Sequence, residues 1–237
     1  MNCLRSMKYI KQLDNYYRKF GLKIFIVHPP EWEFEKSEKN ILSVLEKEWI
    51  NYPLVVDKDK KIINKLNINF WPSQLLIKGN KVVYKNSGEG NYKKLEDSIR
   101  KFLNANGKTL FLKEPKHSRY PTLYAGKRKG LINKGEGRLT FGKIFIKGEW
   151  EQRKEYIKSK EKGCLLSLAT KGKIVNFVAE SLSKKPSKVK VKLNGRFVST
   201  IKIKNPKLYR ISLLRKKNNK LSLIVDKNLA IYSFSFQ

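Results

Sequence analysis

The chain has 237 residues, of which 40% are hydrophobic and 11% aromatic, and it carries a formal net charge of +33. This length and apolar content allow two modest domains with packed cores and exclude a chain that is disordered throughout. Its 2 cysteines and 2 histidines are too few for a disulfide framework or a structural zinc site, so we predict no metal and no cofactor.

The positive charge is concentrated in the second half. Residues 1–110 contain 21 basic and 12 acidic residues, whereas residues 111–237 contain 32 and 8. A polyanion, such as nucleic acid, an anionic membrane or a cell-surface glycan, is therefore an expected partner of the second half. However, 43 of the basic residues are Lys and 10 are Arg, and phosphate recognition favours Arg. A Lys-rich proteome explains the composition about equally well.

The first elements along the chain alternate between helix and strand. Apolar residues at helical spacing predict a helix over 4–20, which Gly21 ends. The apolar runs 22–27 and 52–56 have the length of buried strands. A helix is predicted between them, from Ser37 to Glu48, with apolar residues on one face.

A hairpin and a covering helix complete the first half. After a short predicted helix over 62–66, the strand-like runs 74–77 and 81–84 are joined by three residues, which is typical of an antiparallel hairpin. A last helix is predicted over 91–103. The order of elements is that of a thioredoxin domain without its first strand. Because the neighbours of an absent central strand would keep unpaired backbone groups, we expect the natural protein to begin upstream of Met1.

Asn2 and Cys3 resemble the last two residues of a Cys-x-x-Cys redox motif. In such a motif the first Cys attacks a disulfide and the second resolves the mixed disulfide. Cys3 stands at the start of the predicted first helix, whose N-terminus is expected to lower the pKa of a thiol. Cys3 is then either a resolving Cys whose partner precedes Met1 or a lone thiol.

Five short motifs up to about residue 104 resemble, in order and spacing, the thioredoxin-like (redoxin, TlpA-like) domain of DipZ-type fusion proteins. In that family the domain follows a membrane electron carrier of the cytochrome c biogenesis type. This chain departs from the family pattern Cys-x-Asn-Cys by lacking the first Cys. The motifs are Asn2-Cys3-Leu4-Arg5, Val27-His28 with Pro30-Glu31 and Phe34-Glu35-Lys36, Tyr52-Pro53 with Asp57, Phe70-Trp71-Pro72, and Gly88-Glu89-Gly90-Asn91-Tyr92.

The resemblance implies which residues form the site. Pro72 would be a cis-proline beside Cys3, where the bent backbone can pair with an extended substrate peptide. His28 could act as a general base, although it could also merely end a strand beside two prolines, and we favour the second interpretation. The substrate groove would be lined by Asn2, Trp71, His28 and Glu31.

The second half predicts an all-β domain. Residues 105–119 are polar and indicate a linker, and beyond them short apolar runs alternate with turns such as Asn194-Gly195. Stretches of this half resemble the C-terminal domain of DipZ-type proteins, which is similar to carbohydrate-binding modules. By that resemblance Trp150 and Tyr209 could stack on a sugar ring, but a place in the core is the favoured alternative. The stretches are Tyr124-Ala125-Gly126, residues 146–150, Pro206-Lys207-Leu208-Tyr209 and residues 230–236.

We therefore expect an α/β thioredoxin-like domain over 1–104 that lacks its first strand, a linker over 105–119, and a β-sandwich or jelly roll over 120–237. The function implied by the resemblance is thiol–disulfide exchange, which passes reducing equivalents from a membrane donor of the cytochrome c biogenesis type to protein disulfides. The absent first Cys would impair it.

Two other functions and two compartments stay open at this point. The chain could be a non-catalytic redoxin-like module that binds peptides, or a polyanion-binding protein. The resemblance implies an extracytoplasmic location, whereas a true start at Met1 implies the cytoplasm. The sequence has no run of 18 or more apolar residues, so we expect no transmembrane helix in this chain.

Overall fold

The computed structural model describes residues 2–107, 109–110, 120–130, 132–135, 140–183, 185–213 and 219–237. The chain divides into two compact units, residues 1–117 and residues 118–237. None of the helices in these described ranges is long and apolar enough to cross a membrane. The elements of the first unit are helices α1 (Asn2–Tyr17), α2 (Glu38–Lys47), α3 (Lys61–Lys65) and α4 (Tyr92–Leu103), and strands β1 (Ile26–His28), β2 (Leu54–Val56), β3 (Ser73–Lys78) and β4 (Lys81–Ser87).

The first unit contains two small sheets. β1 and β2 are parallel, with Ile26 opposite Leu54. β3 and β4 form the predicted antiparallel hairpin, with Ser73 opposite Ser87, and Gly79 in the connecting turn has a positive φ of 57°. Because Gly has no Cβ, it adopts this backbone conformation at little cost.

The predicted fold class, an α/β thioredoxin-like domain followed by an all-β sandwich, is wrong. The described chain is mostly β, with 16 strands and 4 helices. The strands of the first unit form two separate two-stranded sheets instead of one α/β sheet. Within the described residues, β1 pairs with β2 alone and β3 with β4 alone, so no strand joins the two sheets. The order of elements was predicted, but order alone does not determine which strands pair.

Helix α1 contributes to both apolar clusters of the first unit. Its residues Leu4 and Met7 pack with a cluster around α2 and β2. About two to four turns further along, Leu13 and Tyr17 are buried in a second cluster with α4 and the hairpin. Spacings of three and four residues place these side chains on a helix stripe that faces the protein.

Part of the predicted linker packs against the first unit. Ala105 is 5% exposed in the second of these clusters, and Leu110 packs there as well. The backbone N–H of Leu110 also donates a 2.6 Å hydrogen bond to Glu96 of α4. Residues 111–119 lie outside the described residues, so the finer division into a domain, a linker and a second domain stays a prediction.

Two six-stranded sheets that share one apolar core form the second unit. One has the strand order β13-β12-β15-β10-β7-β6, and the other has the order β14-β11-β16-β9-β8, with β5 also pairing with β16. Inward side chains of both sheets meet in the core. The strands are β5 (Leu123–Tyr124), β6 (Ile132–Lys134), β7 (Ile144–Lys147), β8 (Trp150–Gln152), β9 (Ile157–Ser159), β10 (Cys164–Thr170), β11 (Ile174–Ser181), β12 (Ser187–Leu193), β13 (Arg196–Ile203), β14 (Lys207–Ser212), β15 (Asn219–Val225) and β16 (Leu229–Phe236).

Candidate functional site

The first turn of α1 carries Cys3 and is held by polar contacts with neighbouring elements. Arg5 donates two hydrogen bonds of 3.0 Å to the two carboxylate oxygens of Glu89, whose side chain is 4% exposed. Buried Ser6 accepts a hydrogen bond of 3.2 Å from the side-chain amide of Gln74 in β3. The start of α1 is therefore fixed against β3 and against the loop that leads into α4.

The turn at Trp71 and Pro72 belongs to the same network. The peptide bond between them is cis, as the resemblance implies. The Pro72 carbonyl accepts a 2.7 Å hydrogen bond from the backbone N–H of Gly88, the residue that directly precedes Glu89. Because Glu89 pairs with Arg5, this turn is connected to the first turn of α1.

A second carboxyl group, that of Glu35, lies in the loop that follows β1. It is part of the 3₁₀ turn Glu33–Lys36. Its Oε2 accepts hydrogen bonds from the backbone N–H groups of Glu31 (2.7 Å) and Trp32 (3.3 Å). Burial outweighs these bonds and raises the pKa of Glu35 to about 7. At neutral pH this group therefore exists in both its acid and its carboxylate forms.

The imidazole of His28 lies next to Glu35. His28 is the last residue of β1, and its Nε2 is 3.8 Å from Glu35 Oε2. Burial lowers the pKa of His28, so its ring is neutral at pH 7. A neutral imidazole supplies no positive charge to Glu35, which agrees with the raised pKa of that carboxyl group.

Both carboxylates act electrostatically on the thiol of Cys3. The residue is exposed, but surrounding protein atoms desolvate the thiol and raise its pKa, and the charges of Glu35 and Glu89 raise it further. The prediction that this pKa is lowered is therefore wrong, because desolvation and two carboxylates outweigh the positive amino terminus and the backbone hydrogen bond that lower it. A protonated thiol needs a proton acceptor before it can attack a disulfide.

The predicted groove residues make different contacts in the structure. Asn2 is the first residue of α1, and its side chain lies outside the described residues. Trp71 is half-buried, with the ammonium of Lys60 5.9 Å from its ring centroid. Glu31 contributes its backbone N–H to Glu35. The groove role of these residues stays a prediction.

Three charged residues of the site received no role from the sequence. Arg5, Glu35 and Glu89 all fall within the motifs that carry the family resemblance, so a signal was present. However, Arg5 and Glu89 are 84 residues apart, and the burial that raises the pKa of Glu35 depends on the tertiary fold. Neither property can be obtained from local sequence patterns.

The two residues of the second unit that were predicted to bind a sugar make contacts within the protein. Tyr209 is 7% exposed, and its hydroxyl donates a 3.0 Å hydrogen bond to the Asn205 carbonyl. Its ring is therefore closed to a sugar, and the core interpretation is correct for it. Trp150 is half-buried against the core, and its Nε1 donates to the Lys147 carbonyl at 3.1 Å.

Cys164 is buried in the core of the second unit. It is 0% exposed, and its thiol donates a 3.1 Å hydrogen bond to the Glu149 carbonyl. Both Cys3 and Cys164 are free thiols. The exposed Cys3 is therefore the accessible thiol of the chain.

Residues 134–236 match the family model described as "Thioredoxin like C-terminal domain". The DipZ proteins of Mycobacterium bovis and Mycobacterium tuberculosis are 28% identical to this chain over 124 residues, which cover 52% of this chain and 18% of each DipZ protein. Human NHL repeat-containing protein 2 is 31% identical over 98 residues, which cover 40% of this chain and 13% of that protein. The chain thus matches a small part of the length of these relatives. The family model and the DipZ proteins support a redox-type function in general terms.

Similarity to solved structures is low. A family two carbohydrate esterase from Clostridium thermocellum in complex with cellohexaose has a TM-score of 0.37 and 14% identity, over 40% of this chain and 31% of the esterase. A family 35 carbohydrate binding module from Clostridium thermocellum has a TM-score of 0.35 and 9% identity, over 48% of this chain and 95% of the module.

Proposed function

We propose that this chain takes part in thiol–disulfide exchange, with Cys3 as the reacting thiol. The observation that carries this proposal is the electrostatic effect on the exposed Cys3 thiol of Glu35, a carboxyl group whose pKa is about 7. Because the pKa of Cys3 is raised, its thiol needs a base at neutral pH, and a group with a pKa near the ambient pH is well suited to accept the proton. The similarity to DipZ proteins supports a function of the same class.

The proposed step exchanges one thiol for another. Glu35 removes the proton of the Cys3 thiol, and the thiolate attacks one sulfur of a substrate disulfide. The substrate S–S bond breaks as the bond between Cys3 and the substrate forms, and the departing thiolate takes the proton from Glu35. Full reduction of the substrate then requires a second thiol from a partner, because Cys164 is buried.

The proposed partners follow from this chemistry and from the resemblance. Protein disulfides would be the substrates, and a membrane electron donor of the cytochrome c biogenesis type would supply the second thiol. Alone, the chain should be a poor reductase of insulin disulfides. Robust turnover of insulin by the chain with no added thiol-containing partner would contradict the mechanism.

The reaction of Cys3 with Ellman's reagent tests the role of Glu35. Because both groups titrate, the rate should show an inflection near pH 7 in addition to the ionisation of the thiol. Glu35→Gln should remove this inflection and lower the pKa of Cys3, since a charge that raises it is gone. Glu33→Gln is the matched control, because that side chain is in the same turn and 74% exposed.

Two further results decide whether Cys3 and Glu35 have these roles. Cys3→Ser should abolish the fast reaction, because Cys164 is shielded in the folded protein. A pH profile that Glu35→Gln leaves unchanged would show that Glu35 is not the proton acceptor.

The raised pKa of Cys3 favours a second candidate, a non-catalytic module that binds extended peptides beside Pro72. A resting thiol that is protonated reacts slowly, and binding would need no thiol at all. Cys3→Ser should then bind disulfide-free peptides as well as the unchanged chain does in a fluorescence titration. Loss of peptide binding on this substitution would argue against the module.

A further inference from the structure

A row of lysines faces outward on the hairpin that β12 and β13 form in the second unit. The strand β12 alternates strictly, with its valines 0% exposed in the core and its lysines between them on the opposite face. Lys188, Lys190 and Lys192 are these outward residues, and Lys202 of β13 lies directly opposite Lys188. Four cationic side chains therefore share one sheet face.

Two apolar side chains are exposed at the tip of the same hairpin. Phe197 lies directly opposite Lys192, and therefore on the same face, and it is 61% exposed. Val198 is 48% exposed at the irregularity of the β12–β13 register. An aromatic ring and a valine are thus exposed at the tip, next to the lysines.

The tip of the hairpin is anchored to the neighbouring strand β15. The Asn194 side chain donates a 2.9 Å hydrogen bond to the Asn219 side chain and accepts one of 2.8 Å from the backbone N–H of Lys220. Asn194 and Gly195 both have positive φ, 50° and 84°, as the tight hairpin turn requires. The basic and apolar groups are therefore presented on a fixed surface.

Protection of an exposed sheet edge does not explain this surface. β13 is an edge strand, and charges on an edge strand discourage association. However, three of the four lysines lie on β12, which is paired on both sides, and Phe197 on the edge strand would favour association. The like charges of Lys188 and Lys202 also repel each other across the pair. Within the described residues, no ion pair joins these four lysines to a carboxylate.

We propose that the β12–β13 hairpin docks on the surface of an anionic lipid bilayer. Lysines on long apolar stems complement anionic headgroups, while Phe197 and Val198 enter the boundary between headgroups and acyl chains. A hydrated glycan or a phosphate backbone would leave the valine in water. The four cations are all Lys, whereas recognition of nucleic acid favours the bidentate fork of Arg. This inference does not depend on the chemistry of Cys3.

Vesicle co-sedimentation of the full chain tests the electrostatic part. Vesicles that contain phosphatidylserine should retain the chain at low salt, and vesicles of phosphatidylcholine alone should not. Because each lysine near such a surface contributes roughly fivefold to binding, Lys190→Ser combined with Lys192→Ser should weaken binding about 25-fold. The matched control is Lys154→Ser combined with Lys173→Ser, which removes the same charge from exposed positions in the loops between β8 and β9 and between β10 and β11.

The control pair is essential because the whole chain carries a net charge of +33 and is attracted to any anionic surface. If both pairs of substitutions weaken binding equally, the attraction is diffuse and the hairpin is not the site. If only Lys190 and Lys192 matter, the hairpin carries the interaction.

Insertion of the tip separates a bilayer from other polyanions. Phe197→Trp should give a blue-shifted emission with phosphatidylserine vesicles and no shift with heparin or duplex DNA. Phe197→Ser should weaken the part of vesicle binding that persists at high salt, and Phe197→Leu should retain it. A chain that binds heparin or DNA through these lysines, with no shift on vesicles, would overturn the proposal of a lipid surface in favour of another polyanion.

Discussion

The two units of this chain bury their apolar side chains in different ways. In the second unit, both sheets contribute to one core, in which residues such as Phe177 and Leu223 are 0% exposed. In the first unit, the apolar residues form two smaller clusters. Of the 11 large hydrophobic side chains that are exposed within the described ranges, 8 belong to the first unit, including Trp49 at 84% and Phe25 at 65%.

This difference shows where each unit obtains its stability. The second unit depends on the burial of apolar surface in one continuous core. The first unit adds buried polar and charged contacts, such as those of Arg5 with Glu89 and of Tyr17 with Glu96 (2.5 Å). One of these groups, Glu89, also acts electrostatically on Cys3. A substitution that creates a cavity should therefore destabilise the second unit most, and a change of pH should alter the stability of the first unit.

The largest expected effect is that of a cavity in the core of the second unit. Phe177→Ala should lower the free energy of unfolding of this unit by about 3–5 kcal/mol, because it removes a buried ring and leaves a void. Hydrogen-exchange mass spectrometry resolves the two units and measures this loss. Phe197→Ala is the matched control, since this Phe is 61% exposed and should change stability by about 0.5 kcal/mol or less. Equal losses for the two substitutions would contradict a single buried core.

A smaller effect is expected from pH on the first unit. Glu35 has a pKa of about 7 in the fold and an ordinary value of 4.5, so the folded state binds the proton more tightly than the unfolded state. The resulting stabilisation is fully present below pH 4.5 and is lost as the pH rises through about 7. The difference amounts to about 3 kcal/mol for a side chain buried to this degree.

Glu35→Gln isolates this contribution, because the amide mimics the protonated carboxyl group and does not titrate. The variant should lose most of the pH dependence of the first unit between pH 4.5 and about 7, as measured by urea unfolding at each pH. Glu33→Gln should leave it in place. The lowered pKa of His28 acts in the opposite direction, but it is the same in both chains. A Glu35→Gln variant whose stability changes with pH as that of the unchanged chain does would show that the pKa of Glu35 is not raised.

Local patterns in the sequence predicted the elements well, but not how the sheets assemble. The three residues between two strand-like runs predicted the β3–β4 hairpin, because the geometry of a short turn is local. In the part of the chain that the structure describes, β1 pairs with β2 alone, through residues 28 positions apart, and nothing in either run specifies what occupies the other edge. The predicted fold class was wrong because it depends on this non-local pairing of strands.

The candidate site was predictable to a similar extent. The thiol, the cis bond before Pro72 and the end of β1 at His28 all follow from motifs. The sign of the pKa shift of Cys3 does not, because it depends on desolvation and on two carboxylates from distant loops. Which charges surround a desolvated thiol can be known only from the tertiary fold.

The smallest expected effect concerns the contact that fixes the first turn of α1. Arg5→Ala removes both hydrogen bonds to a Glu89 side chain that is 4% exposed, and should destabilise the first unit by about 1–2 kcal/mol. Arg5→Lys keeps the charge but loses the planar fork that binds two oxygens at once, so it should recover only part of the loss. Hydrogen exchange should become faster in the first unit alone, and most of all at the amides of α1, in both variants. If Arg5→Lys restores full protection, the contact acts through charge and not through geometry, and the start of α1 is held less rigidly than the two 3.0 Å hydrogen bonds indicate.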